Sequence, residues 1–285
     1  MTIAIYGSRR LQAYAEPLGL FLEMLARAGV DVVMHRKLYD VLIHAMPLRM
    51  AAVRKVVATP DFAADVAVSI GGDGTFLRTS MWVGDKQIPI LGINAGHLGY
   101  LSAADITELP SLAPALLGGD FSTECRSLIE VTAPVLGPWP YALNEVAVSK
   151  EENSSMIIAD THINGHPLAA YRADGLIIST PTGSTAYNLS VGGPIIQPSA
   201  PVWAIAPVAA HSLGMRPLVV SDTSEITVTV EGRARSCRVS LDGRAASLPI
   251  GSTISLRKAP FSIRLVSLPG RTFADRLRDK LHWSE

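Results

Sequence analysis

Apolar residues in the first part of the chain form short runs separated by helical stripes. Runs of this length, bounded by glycine or polar residues, predict four buried strands. They lie at Thr2–Tyr6, Val30–Met34, Asp65–Ile70 and Ile88–Ile93. The segment Leu11–Ala28 repeats apolar residues at helical spacing and stops at Gly29, which predicts a helix between the first two strands. Strands that alternate with helices favour parallel pairing and an open α/β sheet.

The pattern predicts further helices at Met50–Val57 and Ile106–Leu117, and it changes after Gly118-Gly119. From there, short runs rich in Val, Ile, Thr and Ser alternate with turn residues. Asn164-Gly165 and Asp242-Gly243 are typical of two-residue hairpin turns. We therefore predict an α/β domain at residues 1–120 and a mostly β domain at residues 121–265. An amphipathic helix within residues 266–285 is predicted to pack on the first domain.

The composition narrows the class of protein. Of 285 residues, 48% are apolar and 18% are charged, which favours substantial cores over disorder. Lys+Arg and Asp+Glu both total 25, so there is no overall basic field for a nucleic acid. No apolar run reaches the roughly 18 residues of a membrane span, and Cys125 and Cys237 lack metal-site spacing. These features predict a soluble cytoplasmic protein without a fixed protein metal site.

The third strand runs into the glycine-rich segment Gly71-Gly72-Asp73-Gly74-Thr75, after which a helical pattern resumes. A strand, a glycine turn and a helix N-terminus present backbone N–H groups to an anion. A carboxylate beside phosphate needs another task, either binding Mg²⁺ or accepting a proton from a hydroxyl, so the segment indicates phosphoryl transfer. The alternative is a purely structural turn. Neither the GxxxxGK[ST] loop nor the GxGxxG fingerprint is present in the sequence.

A second cluster extends from Arg172 to Pro194 and is crowded with hydroxyls around Tyr187. Hydroxyls and N–H groups bind the edge of a base or a ribose, and an aromatic ring covers an apolar one. The alternative is a Ser/Thr-rich loop that caps a helix. Ser184 has no GxSxG context, which argues against a serine hydrolase.

Two polar residues, Asn144 and Glu145, interrupt an apolar β pattern. Carboxylate and amide oxygens accept hydrogen bonds from a diol such as a ribose, so the pair is a candidate binding clamp. The alternative is a solvated strand edge. We interpret His97 and His211, each in a turn or after a strand, as hydrogen-bonded structural residues.

Taken together, these segments resemble the bacterial NAD kinases that depend on ATP or polyphosphate. The resemblance rests on four segments in family-like order and spacing: Gly71–Thr75, Asn94–Tyr100, Asn144-Glu145 and Asp174–Pro194. It covers roughly residues 66 to 220. The GGDGT motif alone is shared with diacylglycerol and sphingosine kinases, whereas the Asp174–Pro194 segment is far more specific.

The resemblance implies NAD bound between an N-terminal α/β and a C-terminal β domain, and phosphorylation of its 2′-hydroxyl with Mg²⁺ and ATP or polyphosphate. Asp73 would be the general base or metal partner. The implied NAD-binding residues are Gly74, Asn144, Glu145, Asp174, Thr185, Ala186, Tyr187 and Ser190. The candidate phosphate contacts are Arg9, Arg10, Gly71, Gly72, Thr75, Arg78 and Arg172. Asp174 would act across subunits of a homodimer or homotetramer.

Two other functions fit parts of the sequence. A lipid kinase shares the GGDGT turn, but it requires an apolar pocket, whereas Thr180–Ser190 offers hydroxyls. A non-catalytic NADP-binding sensor would keep the fold, although Asp73 argues against a site built only to hold phosphate.

Overall fold

The computed structural model describes residues 1–8, 11–96, 99–152, 154–270 and 272–281. The strands are β1 (Thr2–Gly7), β2 (Asp31–His35), β3 (Val53–Val57), β4 (Val66–Ile70), β5 (Ile90–Asn94), β6 (Ala104–Asp105), β7 (Ser122–Ala133), β8 (Tyr141–Ala142), β9 (Glu145–Lys150), β10 (Ile157–Ile163), β11 (His166–Ala173), β12 (Gly175–Ser179), β13 (Val202–Val208), β14 (Leu218–Ser221), β15 (Ile226–Glu231), β16 (Ser236–Leu241), β17 (Arg244–Pro249) and β18 (Thr253–Ser267). The α-helices are α1 (Ala15–Arg27), α2 (Arg36–Ala45), α3 (Asp73–Val83), α4 (Leu109–Gly118), α5 (Tyr187–Ser190) and α6 (Phe273–Leu281).

The chain divides into two compact units. The first comprises Met1–Cys125 and Ile263–Glu285, and the second comprises Arg126–Ser262. Strands β7 and β18 carry the chain from one unit to the other. Helix α6 belongs to the first unit, where Leu277 is buried.

The first unit contains a parallel sheet in the order β5-β4-β1-β2-β3. The last part of β18 pairs in parallel with β5 through Leu265 and Ile90. Strands β1 and β4 are adjacent, with Gly7 opposite Ile70, although β2 and β3 lie between them in sequence. The strand order therefore reverses at this pair, and ligands of open α/β sheets bind beyond the carboxyl ends of the strands at such a point.

Apolar strand faces and helix stripes build the core of this unit. Helix α1 buries Leu18, Phe21, Leu22 and Leu25 at helical spacing, as the sequence pattern predicts. They pack in one cluster with β-strand residues such as Ile3 and Ile5. The predicted open, mostly parallel α/β sheet is confirmed.

Two details of the first unit differ from the prediction. Residues within Met50–Val57 were expected to be helical, but a 3₁₀ helix ends at Ala52 and Val53–Val57 forms β3, paired with β2. A short apolar run does not distinguish a buried strand from a helix, and pairing with a neighbouring strand decides the outcome. Helix α2 was not predicted.

The second unit is a β-sandwich. One sheet joins β11, β10, β15 and the first part of β18, and the other has the order β14-β13-β12-β9-β16-β17. The pairs among these strands are antiparallel. Side chains from both sheets, including Val228 and Trp203, share one buried cluster. The mostly β C-terminal fold is confirmed.

The two predicted hairpin turns are present. Asn164 and Gly165 connect β10 to β11 with φ values of 51° and 78°, and Asp242 and Gly243 connect β16 to β17 with 48° and 79°. Both residues of each turn have positive φ, which is the geometry of the turn that matches the twist of two antiparallel strands.

Candidate active site

The glycine turn lies at the carboxyl end of β4, where the sheet order reverses. Gly71 has a φ of +150°, and a Cβ there would lie 2.4 Å from Thr75 Oγ1, so the fold itself requires glycine at this position. Helix α3 then begins at Asp73, with Gly72 as its N-cap residue. The sequence-predicted strand, turn and helix are therefore confirmed as one continuous unit.

The Asp73 carboxylate is held by the main chain that follows β5. Its Oδ2 accepts a hydrogen bond from the Tyr100 N–H at 3.0 Å, and its Oδ1 accepts one from the Leu101 N–H at 3.1 Å. Gly99 makes this approach possible, because a Cβ at that position would lie 2.0 Å from Asp73 Oδ1. The two glycine segments recognised in the sequence thus meet at this carboxylate.

The outer side of the glycine turn is open. Gly72 and Gly74 are exposed, and a Cβ at Gly72 would meet no atom within 4 Å. The fold does not need glycine at position 72, but a small residue leaves the backbone accessible to a ligand. Arg78 is exposed one helical turn further on, and its Nη2 donates to Thr75 Oγ1 at 3.3 Å.

Asn144 and Glu145 lie in the second unit at the start of β9. This strand pairs with β12 on one side and β16 on the other, so Glu145 is on a central strand. The Glu145 side chain is largely buried, and its Oε2 is enclosed without a hydrogen-bond partner among the described residues. The alternative of a solvated strand edge is therefore wrong.

A single side chain from the β16–β17 turn holds the main chain of this pair. Asp242 Oδ2 accepts from the Leu143 N–H at 2.7 Å, and its Oδ1 accepts from the N–H groups of Asn144 at 2.8 Å and Glu145 at 3.2 Å. In the sequence, Asp242 is recognisable only as a turn residue. The sequence shows a carboxylate in a turn between two apolar strands. This pattern does not reveal that the N–H groups bound by Asp242 lie nearly 100 positions earlier in the chain.

The environment of Glu145 favours its protonated form. Burial raises the pKa of this carboxyl to about 7, and the neighbouring negative charge of Asp242 adds to the effect. The N–H of Tyr187 donates to the same carboxyl and partly opposes the increase in its pKa. Glu145 therefore connects β9 with the hydroxyl-rich segment and titrates near neutrality.

Side chains of the hydroxyl-rich segment divide into two groups. The buried group includes Thr180, Ser184 and Asn188, which bond to main-chain groups of the protein. Ser184 Oγ, for example, donates to Pro181 O at 2.7 Å and accepts from the Ile196 N–H at 3.0 Å. These bonds shape the loop itself: Thr180 Oγ1 also accepts from the N–H of Gly183 at 3.1 Å, where a short 3₁₀ helix begins, whereas the four-residue helix α5 has no side-chain cap.

The remaining side chains are at least partly accessible, and they include four of the predicted NAD-binding residues. Tyr187 is 42% exposed and Ser190 is exposed, while Thr185 and Ala186 are partly exposed. The buried hydroxyls thus fix the loop, and the accessible residues stand on its outer side. This division was not visible in the sequence, where both groups have the same composition.

Asp174 lies at the other end of the β9–β12 pair from Glu145. Ser179 pairs with Glu145, and Gly175 pairs with Ser149, so about 3.3 Å per residue places Asp174 about 17 Å from Glu145 along the strand. Lys150 Nζ forms an ion pair with Asp174 Oδ1 at 3.0 Å. The exposed Arg172 and His211 are near this end, since the His211 N–H donates to Arg172 O at 2.9 Å.

The other predicted residues lie outside the described part of the chain. These are Arg9, Arg10 and His97. Among the described residues, no group of three or more His, Cys, Asp or Glu side chains is arranged to hold a metal ion. No helix in the same residues is long and apolar enough to cross a membrane.

Comparison with known families supplies the class of protein. Residues 12–121 match the model of the ATP-NAD kinase N-terminal domain, and residues 143–268 match the model of the ATP-NAD kinase C-terminal domain. The order of the two matches agrees with the α/β and β-sandwich units. The chain belongs to the NAD kinase family.

Curated relatives resemble the chain over nearly its full length. An NAD kinase of Porphyromonas gingivalis is 42% identical over 281 residues, covering 99% of this chain and 97% of the relative. An NAD kinase of Bacteroides fragilis is 40% identical over 285 residues, covering 99% and 98%. The match therefore includes both units.

Two solved structures share the fold. A yeast NADH kinase complexed with NADH superimposes with a TM-score of 0.87 at 23% identity, covering 100% of this chain and 88% of the yeast chain. An Archaeoglobus fulgidus NAD kinase in complex with ATP gives a TM-score of 0.73 at 26% identity, covering 99% and 98%. The NAD kinase fold is thus confirmed for this chain.

Proposed function

We propose that this chain transfers the terminal phosphoryl group of ATP to the 2′-hydroxyl of the adenosine ribose of NAD and so makes NADP. Full-length similarity to proteins named NAD kinase supports this reaction. The observation that carries the chemistry is the Asp73 carboxylate, fixed at the start of α3 by the N–H groups of Tyr100 and Leu101.

Asp73 is proposed as the proton acceptor. Each of its oxygens accepts one main-chain hydrogen bond, and a carboxylate oxygen has a second acceptor site. The remaining sites can receive a hydroxyl proton while the main-chain bonds keep the group in place. General-base action of this kind contributes on the order of 10²–10⁴-fold to a rate. Positioning and charge stabilisation contribute the larger share in phosphoryl transfer.

The proposed NAD-binding residues of the second unit supply complementary chemistry. Asn144 and Glu145 offer oxygens that accept from ribose hydroxyls. Thr185, Ala186, Tyr187 and Ser190 form the proposed adenine pocket, in which the exposed Tyr187 ring offers an aromatic face to the base. In the first unit, the exposed Gly74 allows close approach of NAD to the main chain.

Four of the proposed phosphate contacts lie in or directly after the open glycine turn. Gly72 offers an exposed main-chain group at the start of α3. The N–H groups of Gly71 and Thr75, the other two proposed contacts in the turn, already donate to Ile93 O and Gly72 O at 2.8 Å each. Arg78 adds a cation that already reaches Thr75. Arg9, Arg10 and Arg172 are the other proposed cations. Mg²⁺ is held mainly by substrate phosphates together with one or two carboxylates, and Asp73 is a suitable oxygen donor. The ion would neutralise charge on the transferred group. Polyphosphate is a second phosphoryl donor to test beside ATP.

We propose a cytoplasmic homodimer or homotetramer as the active form. Asp174 is about 17 Å along the strand from Glu145 within one chain. This separation is compatible with the proposed role of Asp174 toward the nicotinamide end of an NAD molecule bound by a neighbouring subunit.

A substrate matrix tests the reaction. Size-fractionated protein with Mg²⁺ is assayed with NAD or NADH as acceptor and ATP or polyphosphate as donor, with diacylglycerol and sphingosine in parallel. We expect NADP from NAD and ATP. Phosphorylation of a lipid but not NAD would support the lipid kinase, and NAD binding without NADP formation would support the sensor.

A further inference from the structure

The main chain of Leu143–Glu145 is fixed from two opposite directions. Its N–H groups converge on the Asp242 carboxylate, as described above. Its carbonyl groups are held by Thr180: the Thr180 N–H donates to Asn144 O at 2.9 Å, and Thr180 Oγ1 donates to Leu143 O at 2.6 Å. Thr180 is buried and Asp242 is partly buried, which limits the competition of water for these bonds.

Neighbouring groups reinforce both sides. The Asp242 N–H donates back to Glu145 O at 3.2 Å, and Arg244 in the same hairpin donates to the carbonyls of Trp139 and Tyr141. On the other side, Gly183 packs so closely that a Cβ there would lie 2.1 Å from Asn144 O. The peptide groups around Asn144 are therefore used within the protein, and they fix the position from which the Asn144 and Glu145 side chains extend.

We infer that Asp242 is a positioning residue for NAD binding, and that it acts by holding the main chain of Asn144 and Glu145 against Thr180. The inference rests on the proposed binding role of that pair. A carboxylate is suited to this task because one side chain provides acceptors for three N–H groups in different directions. Asparagine at position 242 would replace one acceptor by a donor and so lose at least one of these bonds.

The same carboxylate affects the charge of the binding group. Asp242 places a negative charge beside Glu145, whereas the Tyr187 N–H faces Glu145 from the loop and Arg244 faces Asp242 from β17. Removing the charge of Asp242 therefore lowers the pKa of Glu145 toward its ordinary value. A change in the pH dependence of NAD binding would not follow from a loss of stability alone.

The test compares four variants of the full chain by calorimetric NAD titration at several pH values and by urea unfolding. Asp242→Asn removes the charge and one acceptor, and Thr180→Val removes the opposing hydroxyl while keeping the shape. Asn164→Ala is the matched control, because Asn164 is also a left-handed turn residue whose side chain accepts a main-chain hydrogen bond, from Glu225 at 2.8 Å. Glu145→Gln reports on the binding pair itself.

We expect Asp242→Asn to raise the Kd for NAD by about tenfold or more, which corresponds to about 1.4 kcal/mol, and to shift the pH midpoint of binding downward. Thr180→Val should raise the Kd in the same direction, and Asn164→Ala should leave it unchanged. A folded Asp242→Asn protein with wild-type NAD affinity, while Glu145→Gln is impaired, would overturn this inference alone.

If Asp242→Asn does not fold, a folded Thr180→Val protein with wild-type affinity would overturn the inference instead. An unchanged Kd in Glu145→Gln would overturn the proposed binding role of the pair, and the inference with it.

Discussion

Gly99 passes so close to Asp73 that a Cβ on residue 99 would lie 2.0 Å from the Oδ1 of the carboxylate. The neighbouring N–H groups of Tyr100 and Leu101 fix this carboxylate. The glycine at position 99 is therefore part of the arrangement that orients the proposed proton acceptor, although it has no side chain of its own.

We predict that Gly99→Ala lowers kcat by about 100-fold or more, because even small misplacement of a reacting group is costly. The nearest atoms belong to a short side chain that can rotate away, so the loss in the free energy of unfolding should stay within about 2 kcal/mol. Steady-state kinetics and urea unfolding measure both effects. Gly232→Ala is the control, since its Cβ would meet only ordinary contacts at 3.8 Å; equal kcat in the two variants would contradict the prediction.

The Gly72→Ala variant should hinder the approach of ATP without destabilising the fold. A Cβ at this position meets nothing in the protein, and the φ of −90° suits alanine, so the free energy of unfolding should change by less than about 0.5 kcal/mol. The added methyl group stands where a phosphate would approach. We expect the KM for ATP to rise about tenfold with little change in the KM for NAD; an unchanged KM for ATP would remove Gly72 from the phosphate contacts.

Tyr187→Ala should weaken NAD binding more than it slows the chemistry of bound substrate. The residue is 42% exposed, so removal of its ring should cost little stability. Loss of an aromatic face is worth on the order of 1 kcal/mol or more of binding. Tyr187→Phe keeps the ring and should bind NAD nearly as well as the wild type. Calorimetric titration compares the two, and similar affinity for alanine and phenylalanine would exclude the ring from the adenine pocket.

The raised pKa of Glu145 predicts two effects of pH. Because the folded state holds this proton more tightly than the unfolded state, stability should decrease as pH rises from about 4.5 to about 7 and then level off. One pKa unit corresponds to about 1.4 kcal/mol, so a shift from 4.5 to about 7 makes the change attributable to Glu145 on the order of 3 kcal/mol. NAD affinity should rise over pH 6–8, since the deprotonated carboxylate is the better acceptor for ribose hydroxyls.

Glu145→Gln should remove this component of both pH profiles. Urea unfolding and NAD titration at each pH provide the measurements. Wild-type and Glu145→Gln profiles that run parallel across the whole range would show that Glu145 does not titrate in this window.

Local features of the fold were predictable from the sequence. The strand and helix around Gly71–Thr75 follow from an apolar run, glycines and a helical stripe that are adjacent in the chain. The Asn164-Gly165 hairpin also depends on neighbouring residues alone. Val53–Val57 was predicted wrongly, because its strand state is decided by pairing with β2 rather than by its own pattern.

The relations within the candidate site were not predictable, because they join distant residues. Asp73 accepts from Tyr100 and Leu101, which lie 27 and 28 positions later, and Asp242 accepts from residues up to 99 positions earlier. Composition also could not separate the buried Ser184 from the accessible Ser190. Motifs identified which chemistry to expect, and the fold determined which side chains remain available for it.

The most direct test of the proposed mechanism is the Asp73→Asn variant, which keeps the size of the side chain and removes the proton acceptor. NADP formation from NAD and ATP is measured beside the Kd for NAD. We predict that kcat falls on the order of 10²–10⁴-fold while the Kd for NAD stays within a few-fold of the wild type. Turnover near the wild-type value in this variant would contradict the role of Asp73 as the general base.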